Sequence, residues 1–307
     1  MPHVFDTTQA LIQSTTAQDM VVTGVDYNMG TAFIVVADGH GSGKVVERAR
    51  NFNWNQLLKA IDVDIQTIVQ PFVDEQCVPE TEMDGMTLTI VRVRSNYFKN
   101  GDTLVELAWI GDSLVSITQT NGGFRTSEER IKFFNPEYVM HPALRGRTTS
   151  ERVKSFYVES ENELKVKWDY YFHFKPSATG EEDEVINMTG AIGHKGTTHH
   201  PLFQHVAQLP ASDSFVIRAA SDGWWNVMHT HDWTKLTDPN VSSAEVAELA
   251  LERWNKNNWT YDPTEPDGEE VEKTSFASLG EADDISVGTL LIYPRPGVVS
   301  YTPRRIE

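Results

Sequence analysis

Four apolar runs, far apart in the chain, each deliver an aspartate. They are Phe33-Ile34-Val35-Val36-Ala37-Asp38-Gly39-His40-Gly41, Leu107-Ala108-Trp109-Ile110-Gly111-Asp112-Ser113, Phe215-Val216-Ile217-Arg218-Ala219-Ala220-Ser221-Asp222-Gly223, and Ala282-Asp283-Asp284 leading into Ile285-Ser286-Val287. Each run predicts a buried strand. Taken alone, any one of these aspartates is an ordinary turn or cap residue. Four carboxylates gathered at strand ends would repel one another strongly. Hard oxygen donors in that arrangement suit divalent metal. The pattern therefore constrains fold and chemistry together.

The bulk composition narrows the class. With 307 residues the chain can bury one large core or two smaller ones. It is 39% hydrophobic and 23% charged, which fits a globular protein and no disordered class. Asp+Glu number 44 against 26 Lys+Arg, a net charge of −18, which argues against a nucleic-acid partner. Cys77 is the only cysteine, so neither an intramolecular disulfide nor a thiolate zinc site is expected. The first residues carry no basic and apolar leader pattern, and no run approaches the ~18 apolar residues of a membrane span. The expectation is a cytoplasmic protein with no membrane partner.

Periodicity predicts strands over 20–25 and 31–37, joined by a tight connection at Tyr27-Asn28-Met29-Gly30. A helical stretch follows over about 44–60, then an amphipathic piece around Ile65, Ile68, Val69 and Phe72 that stops near Pro71. Strands are expected over 86–93, 104–110 and 114–118, with a turn at Lys99-Asn100-Gly101-Asp102 between the first two. Residues 122–184 read as an irregular insertion packed beside the sheet, and 261–273 as an exposed loop. Ser242 and Glu245 form a capping box opening a helix with Ala247, Ala250, Leu251 and Trp254 on one face. The last strand runs over 285–293. Strands in hairpins with helices in separate blocks predict an α+β fold, with two packed antiparallel sheets flanked by helices. No internal repeat or long linker divides the chain, so 1–307 reads as a single domain.

Asp38-Gly39-His40-Gly41 carries the most chemistry. The carboxylate can bridge two metals, and glycine allows its own carbonyl to approach a cation. His40 is placed to donate a proton nearby. Three other readings fail on the residues. Gly39-His40-Gly41-Ser42-Gly43-Lys44 resembles a phosphate-binding P-loop, but Asp38 and Val45 occupy its required Gly and Ser/Thr positions. The histidines at 194, 199, 200 and 205, and at 229 and 231, lack the usual metal-ligand spacing. The acidic segment 262–270 has prolines where an EF-hand needs ligands.

In their order, these motifs resemble the PPM-type, or protein phosphatase 2C-like, metal-dependent serine/threonine phosphatases. The resemblance spans about 13–293 and rests on Asp38-Gly39-His40-Gly41, Gly85-Met86-Thr87, Ile110-Gly111-Asp112-Ser113, Ala220-Ser221-Asp222-Gly223 and Asp283-Asp284-Ile285-Ser286-Val287. It implies an αββα sandwich with a binuclear Mn2+ or Mg2+ centre acting on phosphoserine and phosphothreonine in phosphoprotein substrates. Asp38 would bridge the metals, the Gly39 carbonyl would bind one, and Asp222 and Asp283 would hold the second. Asp112 would serve a weaker third metal, and Asp19 of the neighbouring acidic pair counts with the metal residues. His40 would be the general acid. The attacking nucleophile implied is a water bridging two cations about 3.5–4 Å apart.

The chain departs from the family pattern in several places. Ser14 stands where an arginine normally clamps the substrate phosphate, and Gln18 where glutamate is common. Asn226 replaces an aspartate, Gly190 and His194 replace an arginine and an aspartate, and Asp284 replaces an asparagine beside the metal aspartate. These departures support a second reading: a catalytically impaired pseudo-phosphatase acting as a binding or regulatory module.

Overall fold

The computed structural model describes residues 3–14, 16–76, 84–120, 131–134, 149–158, 163–174, 184–186, 191–193, 202–225, 238–255, 259–264, 274–275 and 283–294. Cys77, Gly190, His194 and Asn226 lie outside these residues, as do the histidines at 199, 200, 229 and 231. Strands are numbered along the chain. The first sheet runs β1 (His3–Ile12), β17 (Ile285–Pro294), β14 (Phe215–Ala220), β7 (Leu114–Gln119), β8 (Ile131–Phe134). The second runs β12 (Ile192–Gly193), β4 (Gly85–Met86), β3 (Thr31–His40), β5 (Leu88–Arg94), β6 (Thr103–Ile110), β13 (Phe203–Leu209), and β2 (Asp19–Asp26) pairs with β3. Neighbours in both sheets are antiparallel.

The continuous apolar run of β3 follows from its place between two cores. Side chains alternate across a strand. Ile34 and Val36 pack between the sheets with Val91, Leu107, Ile217 and Leu290. Phe33 and Val35 face the other way, onto helices α1 (Lys44–Asn51), α2 (Gln56–Lys59) and α3 (Ile65–Gln76), meeting Val45, Leu57, Val69 and Phe72. The outer face of the first sheet is covered by α4 (Asp222–Trp225) and α5 (Ser243–Trp254), where Trp224, Val246, Ala250 and Trp254 pack on Ile285 and Val287. The layers are therefore helix, sheet, sheet, helix. This α+β sandwich is the expected architecture.

Local signals explain most of the connections. Between β2 and β3, the Asp26 carboxylate accepts from the amides of Asn28 and Met29 at 2.9 and 3.0 Å, and Gly30 takes φ 61°. The α5 capping box is present: the Ser242 amide donates to Glu245 at 2.7 Å, and the Glu245 amide donates to the Ser242 hydroxyl at 3.3 Å.

Four expectations need correction. The stretch expected as one helix over 44–60 is two. α1 ends at Asn51 with Phe52 as its cap, and the Phe52, Trp54 and Phe72 rings pack edge-on or tilted against one another between the pieces. α3 runs through Pro71 instead of stopping there. An interior proline costs about 3 kcal/mol; burial of Ile68, Val69, Phe72 and Val73, at about 1.5–3 kcal/mol each, exceeds that. Pro71 itself lies on the exposed side. Part of 122–184 is strand rather than irregular chain. β9 (Thr149–Val158) and β10 (Glu163–Phe174) pair along ten residues. A third sheet adds β11 (Glu184–Ile186), β15 (Trp259–Thr264) and β16 (Thr274–Ser275), so the loop expected over 261–273 begins as strand. In β9 and the first half of β10, charged residues interrupt the apolar ones, which hides the pair from an apolar-run reading.

Candidate active site

Each sheet contributes two carboxylates. In the second sheet, Asp19 at the start of β2 lies opposite Asp38 near the end of β3. The strand continues through Asp38, Gly39 and His40, so Asp38 and His40 fall on the same face of β3. The Asp38 amide donates to the Thr87 hydroxyl at 3.1 Å, and the Thr87 amide donates to the Asp38 carbonyl at 2.7 Å. Thr87 in turn shares a hydrogen bond with the Ser113 hydroxyl at 2.9 Å. The Gly85-Met86-Thr87 segment therefore ties Asp38 to the turn that carries Asp112.

Glycine at position 39 has a steric reason beyond access to its carbonyl. A Cβ there would meet Val46 Cγ2 at 2.5 Å and the Gln18 carbonyl at 2.8 Å. The Gly39 amide already donates to that carbonyl at 3.1 Å. Only a residue without a side chain lets β2, β3 and α1 meet this closely.

In the first sheet, β14 and β17 are neighbours, and their ends hold Asp222 and Asp283. The Ser221 amide donates to the Ser286 carbonyl at 3.1 Å, and the Ser286 amide to the Ser221 hydroxyl at 3.0 Å. A Cβ on Gly223 would run into the Asp284 carbonyl. These contacts fix the two aspartates side by side.

Asp19, Asp38, Asp222 and Asp283 lie within electrostatic reach of one another. Burial raises the Asp38 pKa well above the usual carboxylate range, and the charges of Asp19, Asp222 and Asp283 raise it further. Asp283 is raised by burial, then by Asp222 and Asp19. Burial pushes Asp19 up to about 7; the hydroxyls of Ser221 and Ser286 oppose the shift, while Asp284 and Asp222 add to it. Asp38, Asp222 and Asp283 of the sequence pattern thus influence one another, with Asp19 in place of Asp112 as the fourth group.

The donor set fits divalent cations. Asp19 is fully buried, and the Ser221 and Ser286 hydroxyls beside its carboxylate only partly offset the cost of that burial. Buried anionic oxygens in that condition are costly unless a positive charge compensates them. Asp38, Asp222 and Asp283 are half-buried. Even so, among the described residues no three His, Cys, Asp or Glu side chains form a metal-holding group. The carboxylates are close enough to shift one another without being drawn into a finished ligand set.

Other residues have more specific roles than the sequence indicated. Asp284, expected only to add negative charge, anchors the segment before β2. Its carboxylate accepts from the Ser14 amide, from the Gln18 amide at 2.5 Å and from the Thr16 hydroxyl at 3.0 Å. Burial raises its pKa, but these donors outweigh burial and leave it below the usual value. Gln18 donates its side-chain amide to the Gly41 carbonyl at 2.5 Å. Asp112 is buried in the turn between β6 and β7, and is reached from Asp38 through Thr87 and Ser113. His40 is half-buried at the end of β3.

Several solved structures are similar to this one. The S. agalactiae serine/threonine phosphatase matches with a TM-score of 0.50 at 14% identity, over 95% of this chain and 100% of that one. The serine/threonine phosphatase Stp1 from Staphylococcus aureus matches with a TM-score of 0.49 at 10% identity, over 95% and 96%. The Mycobacterium tuberculosis serine/threonine phosphatase PstP/Ppp matches at 0.47 and 15% identity, over 94% and 98%. No protein-family model and no curated protein sequence matches the chain. The fold is that of the PPM-type, protein phosphatase 2C-like enzymes. Among the described residues, no helix is long and apolar enough to cross a membrane.

Proposed function

We propose that the chain is a PPM-fold protein that binds divalent cations in its carboxylate pocket but has impaired turnover, and serves mainly as a binding or regulatory module. Residues 1–307 would act as one such domain, in the cytoplasm, with phosphoproteins as partners. The observation that carries this reading is the state of the segment before β2. Ser14 stands where an arginine would clamp phosphate, and its amide and hydroxyl are engaged with Asp284 and Thr16. A hydrogen bond to a charged group contributes about 1.5–3 kcal/mol. Losing such a clamp therefore costs about tenfold to a hundredfold in kcat/KM.

Asp38, Asp19, Asp222, Asp283 and the Gly39 carbonyl would hold Mn2+ or Mg2+, with Asp112 available to a weaker third ion. The cations, when bound, would supply an ionised water and neutralise phosphoryl oxygens. His40 would hold the proton that a departing serine or threonine alkoxide needs. Thr87, Ser221 and Ser286 would keep the carboxylates aimed inward.

A second reading, an active phosphoserine/phosphothreonine phosphatase, is favoured by the survival of Asp38, His40, Asp222 and Asp283. Manganese uptake by calorimetry, paired with phosphopeptide hydrolysis, separates the two. Uptake with weak hydrolysis is the expected result. Uptake with rapid hydrolysis selects the second reading, and no uptake defeats both.

A further inference from the structure

We propose that a basic pocket beside the carboxylate cluster, centred on Lys44 and Arg48, binds an acidic or phosphorylated peptide segment. The cavity, of about 450 Å3, has Thr16 and Ala17 on one wall and Lys44, Glu47, Arg48 and Arg50 on the other. Three basic side chains line it against one carboxylate, with the Asp84 carboxylate beside Lys44, which leaves a local excess of positive charge in a chain of net charge −18. The residues belong to the loop and helix that follow Asp38, a stretch whose resemblance to a P-loop fails on spacing.

The cations in the pocket divide by role. Arg50 is committed to the wall: it pairs with Glu47 at 2.9 Å and donates to the carbonyls of Ala17 and Asp19 at 2.7 and 3.0 Å. It thereby neutralises the one carboxylate and braces the segment leading to the buried aspartate. Arg48 is exposed and donates to the neutral Gln76 amide oxygen at 3.2 Å, so that contact leaves its charge uncompensated. Lys44 is 59% exposed, 3.5 Å from the Asp84 carboxylate. At the start of α1, Gly43 offers no capping side chain, so the positive end of the helix adds to the field.

An anionic side chain fits this field better than a long polyanion does, because the rest of the acidic surface repels extended nucleic acid. The pocket adjoins the cluster through Gln18, whose side chain lies against Gly43. A peptide presented to the carboxylate pocket would therefore place a flanking acidic residue here. This inference takes its peptide ligand from the reading above, but its test needs neither metal nor turnover.

Fluorescence anisotropy with the full chain in EDTA provides the test. The probes are a labelled serine-centred peptide flanked by Asp and Glu, its phosphoserine form, and a control with Asn and Gln. The acidic peptides should bind on the order of tenfold tighter than the control, with affinity falling as salt rises. Stronger binding of the phosphorylated form assigns the pocket to phosphate, and equal binding assigns it to carboxylates; both support the proposal. The double variant Lys44→Glu/Arg48→Glu should lose about tenfold, whereas Lys44→Arg/Arg48→Lys should stay within about threefold. Melting curves check that both variants fold. Equal binding of acidic and neutral peptides, unchanged affinity in the charge-reversed variant, or tighter binding of a single-stranded oligonucleotide would overturn it. Failure of manganese uptake would sink the cation reading without altering this result.

Discussion

Asp19 and Asp38 face each other across the β2–β3 pair, two carboxylates in direct antiparallel register. Like charges placed opposite one another in a sheet are destabilising. Here Asp222 and Asp283 from the other sheet add to the conflict. Under the proposed reading, these groups are held for a ligand of opposite charge.

The first prediction concerns pH. A carboxylate like Asp19 titrates near 4 when unfolded, and Asp19 does so at about 7 in the fold. Its protonated form favours folding, so that stability is complete below about pH 4 and is lost as pH rises through 7. Asp38 and Asp283 are shifted in the same direction and extend the loss. His3 behaves oppositely: burial lowers its pKa, and its contribution is lost as pH falls below 6.5. Between pH 6.5 and 8.5, the melting temperature without divalent cations should therefore drop. Manganese should restore it most at pH 8.5, where protons compete least. A profile that is flat and indifferent to manganese would contradict this.

The second prediction concerns the anchor. Asp284→Ala removes the acceptor for the Ser14 and Gln18 amides and the Thr16 hydroxyl. The expected loss is about 2–3 kcal/mol of stability, with faster amide exchange confined to residues 14–18. Unchanged exchange there would mean the segment is held by other contacts.

The third prediction restores what is missing. Ser14→Arg keeps the backbone amide that Asp284 uses and adds a guanidinium at the segment's edge. In saturating manganese, kcat/KM for a phosphoserine peptide should rise about tenfold or more. Turnover equal to that of the natural protein would show that the clamp is not what limits it.

Asp19 and Asp283 stand at or before the start of their strands, but an aspartate that follows an apolar strand buried on both faces stands out in a sequence. Asp38 and Asp222 are clear examples. What the sequence hid was the framework around them. β1 alternates between buried and exposed positions at a sheet edge, and its Asp6-Thr7-Thr8-Gln9 centre reads as polar chain. β13, at the edge of the other sheet, was missed for a similar reason: Gln204, His205 and Val206 are exposed. Asp284 looked like surplus charge because the amides it receives lie about 270 residues away. The basic pocket forms only when the segment before β2 packs on α1, which spacing along the chain does not reveal.

Calorimetric titration of Mn2+ into the purified protein at pH 8, beside Asp38→Asn, tests the central claim most directly. The natural protein should take up manganese and release protons as Asp38 and Asp283 ionise, and Asp38→Asn should bind far more weakly. Absence of heat in the natural protein, or equal uptake by the variant, would contradict the account.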